Sequence, residues 1–191
     1  MSMKKIFGGR ILTVPNLLSL LRLCLIPVFV RVYLVRHDAA LTAQLLLLSG
    51  ATDVADGLIA RRFQQVSDLG KLLDPLADKL TQAALLICLM KRFPLMLLPL
   101  GLLAVKELFC AATGIAAVKS SGELRSSDWH GKLAAVLLYF LLCAHLLWPE
   151  IPPAASRAIT AAACAAILLS GALYGRRNLQ RSCPRGETPD H

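Results

Sequence analysis

Six stretches of this sequence are each about as long and as apolar as a helix must be to cross a bilayer, roughly 20 residues. They lie at about 15–35, 39–60, 71–90, 94–117, 132–148 and 154–174. Within lipid every backbone N–H and C=O must be bonded inside the protein, which leaves helices and closed barrels as the spanning structures. Runs of this length select helices. The sequence therefore predicts an all-α integral membrane protein with six transmembrane helices, folded as a single domain over 1–191, with a polar tail at 178–191 that frays beyond Asn178. Composition excludes the alternatives. Of the 191 residues 56% are hydrophobic and only 17% charged, and the mean hydropathy of +0.60 is incompatible with disorder or an ordinary soluble domain.

The first stretch follows Lys4, Lys5 and Arg10 and has the outline of a signal peptide, but no small-residue cleavage site follows it and Arg22 interrupts it. It is expected to stay in the mature chain. Residues 3–12 form a short basic segment suited to lie along the membrane surface as a juxtamembrane amphipathic helix. Lysine and arginine mark the cytosolic side of a membrane protein. With the N-terminus inside, that side also carries Arg61, Arg62, Lys71, Lys119, Arg125, Lys132, Arg176, Arg177, Arg181 and Arg185, which brings 13 of the 21 basic residues to one face. The opposite turns hold Arg36, Lys91, Arg92 and Arg157. A multi-pass protein of the cell membrane with both termini in the cytosol is expected. This asymmetry accounts for the net charge of +9, so nucleic acid is not expected as a partner. The six cysteines show no C-x-x-C spacing and five lie in apolar stretches, so neither a disulfide nor a zinc site is expected.

Four carboxylates break the apolar pattern. Asp53 and Asp56 lie near the end of the second stretch, and Asp74 and Asp78 near the start of the third. An aspartate at the centre of a membrane helix costs about 2.5–3.5 kcal/mol on insertion scales, so these require a compensating partner. On a helix, spacings of three and four residues put each pair on one face with a rise of about 4.5–6 Å. The short connection at 61–70 makes the two helices antiparallel neighbours and brings both pairs to the cytosolic end, where they can converge. Like charges so gathered would hold protons unless a cation neutralised them. An oxygen-only donor set favours Mg2+ or Mn2+, with two ions feasible, over zinc. Lys71 is spaced to pair with Asp74, but that leaves Asp53 and Asp56 with no basic neighbour on their own helix. Pro75 either follows an Asp74 cap or kinks a helix begun near Gly70. Gly50, Ala51, Ala55, Gly57 and Ala60 allow close helix approach. Gly57 also lets backbone reach a ligand, and Arg61, one turn on, has the bidentate geometry suited to phosphate. Metal, close backbone and arginine together describe a diphosphate site.

The spacing Asp53-x2-Asp56-Gly57-x2-Ala60-Arg61-x8-Gly70-x3-Asp74-x3-Asp78 resembles the signature of the CDP-alcohol phosphotransferase family, with all eight fixed positions filled over 26 residues. The resemblance implies a membrane enzyme, homodimeric among related proteins, that moves a phosphatidyl group from CDP-diacylglycerol to an alcohol and releases CMP. It implies metal binding by Asp53, Asp56, Asp74 and Asp78, with Asp78 also the catalytic base. It further implies nucleotide or diphosphate contact at Gly57, Ala60, Arg61 and Gly70, at Asn16 where the first span starts, and at Ser67 between the motif halves. Transfer of this kind runs on positioning and charge neutralisation, and a carboxylate must take the proton of the attacking hydroxyl. No nucleophilic Ser, Cys or His stands beside the motif, so direct attack without a covalent intermediate is expected.

Leu12-Thr-Val-Pro15-Asn16-Leu-Leu-Ser19-Leu-Leu-Arg22 and the block from Ser67 to Lys79 are similar to the phosphatidylglycerophosphate synthase branch of that family, which implies glycerol 3-phosphate as acceptor. Arg22, Lys106 and Lys132 then become candidates for its phosphate, since an intramembrane base facing protein is a functional candidate. Arg22 can equally pair with an aspartate. Two departures bear on the acceptor: Lys106 stands where Arg is usual before Glu107, and Lys132 is followed by Leu133-Ala134-Ala135 where a Thr is common. A cardiolipin synthase of the same fold, accepting on phosphatidylglycerol, is the nearest alternative. A cation transporter would also line a midplane site with acids, but the last three spans hold no second acidic pair to make a second half.

Overall fold

The computed structural model describes the backbone of residues 14–62, 70–121 and 129–182, and the side chains over 19–52, 75–113 and 129–177. Among the described residues all regular structure is helical. α1 is Val14–Leu34, α2 Ala39–Arg62, α3 Gly70–Met90, α4 Leu97–Ser121, α5 Trp129–Leu147 and α6 Pro153–Ser182, with a single 3-10 turn at Pro94–Met96 leading into α4. Each apolar stretch of the sequence carries one helix. The expected juxtamembrane segment at 3–12 lies outside the described residues.

Among the described residues three helices are, by length and composition, apolar enough to cross a membrane: Pro94–Thr113, Trp129–Leu147 and Pro153–Arg177. At most a third of each is buried within the protein, which leaves broad apolar faces suited to lipid. The apolar part of α2 within the described side chains, Ala39–Thr52, is shorter than a span. α3 carries Lys71, Asp74, Asp78 and Lys79 in its first half, and α1 carries Arg22 and Arg31. Six helices are described where six spans are expected, and three of them have the length and composition of a span.

Helix ends differ from the sequence reading in instructive ways. α6 runs to Ser182, past the point where fraying was expected, because Arg176 to Arg181 contains no glycine or proline and is rich in helix formers. Pro153 opens that helix, the one position where its missing N–H costs nothing. Asp38 caps α2, its Oδ1 accepting from the Leu41 N–H at 2.8 Å. His37 before it adopts φ 53°, in the left-handed region, and so turns the chain out of α1.

The chain divides into two compact units, residues 1–94 with 142–151 and residues 95–141 with 152–191. In the first, α1 packs against both α2 and α3. Its core includes Phe29, Leu46, Leu85, Leu86 and Leu89, and Phe93 meets His145 edge-to-face at 4.9 Å between ring centroids. In the second unit α4 packs against α6. Gly171 and Gly175, one turn apart on α6, make that contact close. A Cβ at Gly175 would collide with the Phe109 ring at Cε1, and one at Gly171 would sit 3.2 Å from Lys106 Cγ, whereas Gly101 has open space around it. Gly175→Leu is therefore expected to cost about 2–3 kcal/mol by overpacking. Gly101→Ala is expected to be neutral or stabilising by about 0.5–1 kcal/mol. Thermal unfolding of both variants in detergent checks the contrast.

Candidate active site

All four motif aspartates belong to the first unit. Asp53 and Asp56 lie in the C-terminal half of α2, and Asp74 and Asp78 in the first half of α3. The backbone is continuous helix through each pair, so the two members are separated by a rise of about 4.5 and 6 Å. Pro75 lies inside α3, which begins at Gly70. Asp74 is thereby a helical residue and not a cap. The side chains of Asn16, Asp53, Asp56, Ala60, Arg61 and Asp74 lie outside the described set, the glycine positions Gly57 and Gly70 have only their helical backbone described, and Ser67 lies outside it altogether.

Asp78 is described, and it has a specific partner. Arg22 Nη1 on α1 donates to Asp78 Oδ1 on α3 at 3.1 Å, across 56 residues of sequence. The Arg22 side chain is 4% exposed and that of Asp78 31%. A buried guanidinium requires an anion nearby, and a charge-assisted bond of this length supplies one at Nη1. Helical spacing builds the contact. Ser19, Arg22, Phe29 and Val32 recur on one buried stripe of α1, and Asp78, Thr81 and Gln82 share a face of α3.

Ser19, Thr81 and Gln82 are buried on the same two helices as this pair, so a polar seam runs where α1 packs on α3, and Thr42, Ser49 and His145 are further buried polar residues of the unit. The Thr81 hydroxyl donates to the Ala77 carbonyl one turn back at 2.8 Å. Sequence reasoning missed Thr81 and Gln82, although polar side chains three and four positions after a motif aspartate are the signal that would have marked them. Of the two roles open to Arg22, the structure displays the one with an aspartate.

The other two basic candidates lie in the second unit. Lys106 on α4 bonds the neighbouring carboxylate, Nζ to Glu107 Oε1 at 2.7 Å, while its stem packs over Gly171. Its side chain is half-buried, an aliphatic stem inside with a neutralised head. Lys132, in the first turn of α5, is exposed. Among the described residues no three His, Cys, Asp or Glu side chains gather as a metal site, and three of the four motif carboxylates are outside that set. The five described cysteines form no disulfide with one another, and Cys183 lies outside the described residues.

Comparison with known proteins bears on this arrangement. The CDP-alcohol phosphatidyltransferase family profile matches residues 12–170, from the start of α1 into α6. A Mycobacterium tuberculosis protein provisionally named cardiolipin synthase is 54% identical over 72 residues, 38% of this chain and 34% of its own. The Streptomyces coelicolor cardiolipin synthase (CMP-forming) is 40% identical over 112 residues, 56% of this chain and 52% of its own. The Rickettsia bellii CDP-diacylglycerol–glycerol-3-phosphate 3-phosphatidyltransferase is 37% identical over 95 residues, 49% of this chain and 52% of its own. The chain thus spans between about a third and a half of the length of these relatives. With the profile covering most of its length and the motif aspartates seated on α2 and α3, the chain belongs to the CDP-alcohol phosphatidyltransferase family.

Proposed function

We propose that this protein transfers a phosphatidyl group from CDP-diacylglycerol to a glycerol-type alcohol, releasing CMP, with glycerol 3-phosphate as the first acceptor. The observation that carries the proposal is Asp78: the last aspartate of an eight-position family motif, held from α1 by Arg22 in a buried polar seam. In this reading Asp78 takes the proton of the attacking hydroxyl as that oxygen meets the lipid-side phosphorus. Arg61 binds the diphosphate, and Gly57, Ala60 and Gly70 let the backbone approach it, with Asn16 and Ser67 on the nucleotide. Displacement is direct, the departing oxygen leaving on CMP.

The donor set fits a divalent cation. Four carboxylate positions on two uninterrupted helices offer hard oxygen ligands at helical register, without thiolate or imidazole. Asp53, Asp56, Asp74 and Asp78 would hold Mg2+ or Mn2+, and such ions supply charge neutralisation on the diphosphate when bound. The same proposal includes six spans in one catalytic domain, cytosolic termini and active site, and a homodimeric membrane enzyme. Its support is the charge asymmetry of the connections and the apolar faces of α4, α5 and α6.

A second acceptor, phosphatidylglycerol, is favoured by a specific observation: two of the three relatives above carry cardiolipin synthase names. Incubating the purified protein with CDP-diacylglycerol and each acceptor, then measuring CMP and the lipid product by mass spectrometry, decides between them. Glycerol 3-phosphate is expected to drive CMP release and to yield phosphatidylglycerophosphate. CMP release with phosphatidylglycerol alone replaces the first acceptor by the second. Metal flux through proteoliposomes without CMP release with any alcohol overturns the transferase reading.

A further inference from the structure

We propose that Arg22 is the positioning residue for Asp78 and, by sharing its carboxylate, sets how tightly the aspartate cluster holds a divalent cation. The proposal deepens the metal-dependent reading above and rests on it. Its basis is one contact between distant parts of the chain: a guanidinium, 4% exposed on the inner stripe of α1, bonded at 3.1 Å to one oxygen of the motif's last aspartate. Arginine stays charged at any working pH and its planar head is weakly hydrated, so in a buried seam it is a permanent fixture and not a group that water replaces.

Two effects follow from that placement. A carboxylate tethered at one oxygen loses rotational freedom, which fixes the direction in which Asp78 meets a substrate hydroxyl. A permanent positive charge against a metal-binding carboxylate also opposes a second cation there, and strongly where water is scarce. Orientation and electrostatics therefore pull in opposite directions. Removing the charge should tighten metal binding while slowing turnover. An arginine serving only to pack α1 against α3 would behave differently, because loosening the seam would weaken both.

The test uses the full chain in lipid nanodiscs, with Mn2+ binding followed by electron paramagnetic resonance in the absence of substrate, beside steady-state CMP release. Arg22→Gln is expected to bind Mn2+ about five- to tenfold more tightly. Its kcat should fall about tenfold or more, with KM for CDP-diacylglycerol changed by less than about twofold. Arg22→Lys keeps the charge and is expected to hold Mn2+ within about twofold of the parent protein while recovering part of kcat. Equal or weaker Mn2+ binding by Arg22→Gln overturns the proposal, as does tightening by Arg22→Lys. If Arg22→Gln is not recovered folded, the Arg22→Gln/Asp78→Asn double variant is compared with Asp78→Asn alone. Loss of the arginine must still tighten Mn2+ on the remaining three aspartates, and unchanged or weaker binding overturns the proposal. A parent protein that binds no Mn2+ defeats a different claim, the metal reading beneath this one.

Discussion

Asp78→Asn is expected to lower CMP release by about 10²- to 10⁴-fold, the usual contribution of a positioned general base. Asparagine keeps the size of the side chain and can still meet Arg22, but it accepts no proton at working pH. The substitution also leaves the Arg22 guanidinium without this carboxylate's charge in a buried seam. Breaking a fully buried ion pair costs about 3–5 kcal/mol, and the 31% exposure of Asp78 puts this case below that range. A loss of activity through instability must therefore be separated from a loss of chemistry. The Arg22→Gln/Asp78→Asn double variant does this by removing both charges at once. It is expected to unfold at a temperature closer to that of the parent and to remain as inactive as Asp78→Asn. Recovery of turnover in the double variant, or near-normal turnover in Asp78→Asn, removes Asp78 as the base.

Much of the helical framework is legible in the sequence because hydropathy and length decide it. The stretch at 39–60 became α2, Ala39–Arg62, and that at 71–90 became α3, Gly70–Met90, to within two residues at each end. Where the match is poorer, the apolar run stops short of the helix end. α6 continues through Arg176, Arg177 and Arg181 to Ser182, because arginine ends an apolar run and is still a good helix former. α5 begins at Trp129, ahead of the apolar run at 132, although Gly131 is a poor helix former and Trp129 and His130 only moderate ones, so intrinsic propensity does not set this end. Pro75 shows the limit of local signals: both a helix start and a helix interior suit its sequence, and the helix from Gly70 selects the interior.

The candidate site divides in the same way. Spacing alone put Asp74 and Asp78 on one helix face, since both lie within a single element. The choice between an aspartate and an acceptor phosphate for Arg22 depends on how α1 lies against α3, a contact across 56 residues that no local periodicity encodes. Lys106 is a converse case. Adjacent residues on a helix do not share a face, so Glu107 was an unpromising partner, yet a flexible four-carbon stem carries Nζ to within 2.7 Å of it. Either acceptor must therefore compete with Glu107 for that ammonium if Lys106 is to serve as its phosphate ligand.

Exhaustive chelation is expected to lower CMP release by at least about 100-fold, with activity restored by Mg2+ or Mn2+. Asp53, Asp56, Asp74 and Asp78 place up to four negative charges on two neighbouring stretches of the chain, and Arg22 answers only the last of them among the described residues. A diphosphate adds further negative charge, so substrate binding and leaving-group departure both depend on a cation in such a cluster. Ca2+ should restore far less than Mg2+ or Mn2+, because its oxygen distances of about 2.3–2.6 Å exceed the roughly 2.0–2.1 Å of Mg2+ and it tolerates irregular coordination that fixes a phosphorus poorly. The same binding has a consequence for stability that does not pass through the reaction. A cation that binds only the folded protein adds about 2.7 kcal/mol at a concentration one hundred times its dissociation constant, so Tm should rise with Mn2+ in the absence of substrate. Asp53→Asn, Asp56→Asn and Asp74→Asn should each reduce that rise, whereas Lys132→Gln, on the exposed first turn of α5, should leave it intact. Turnover that survives chelation, together with a Tm indifferent to Mn2+, would show that the four aspartates serve the protein without a metal.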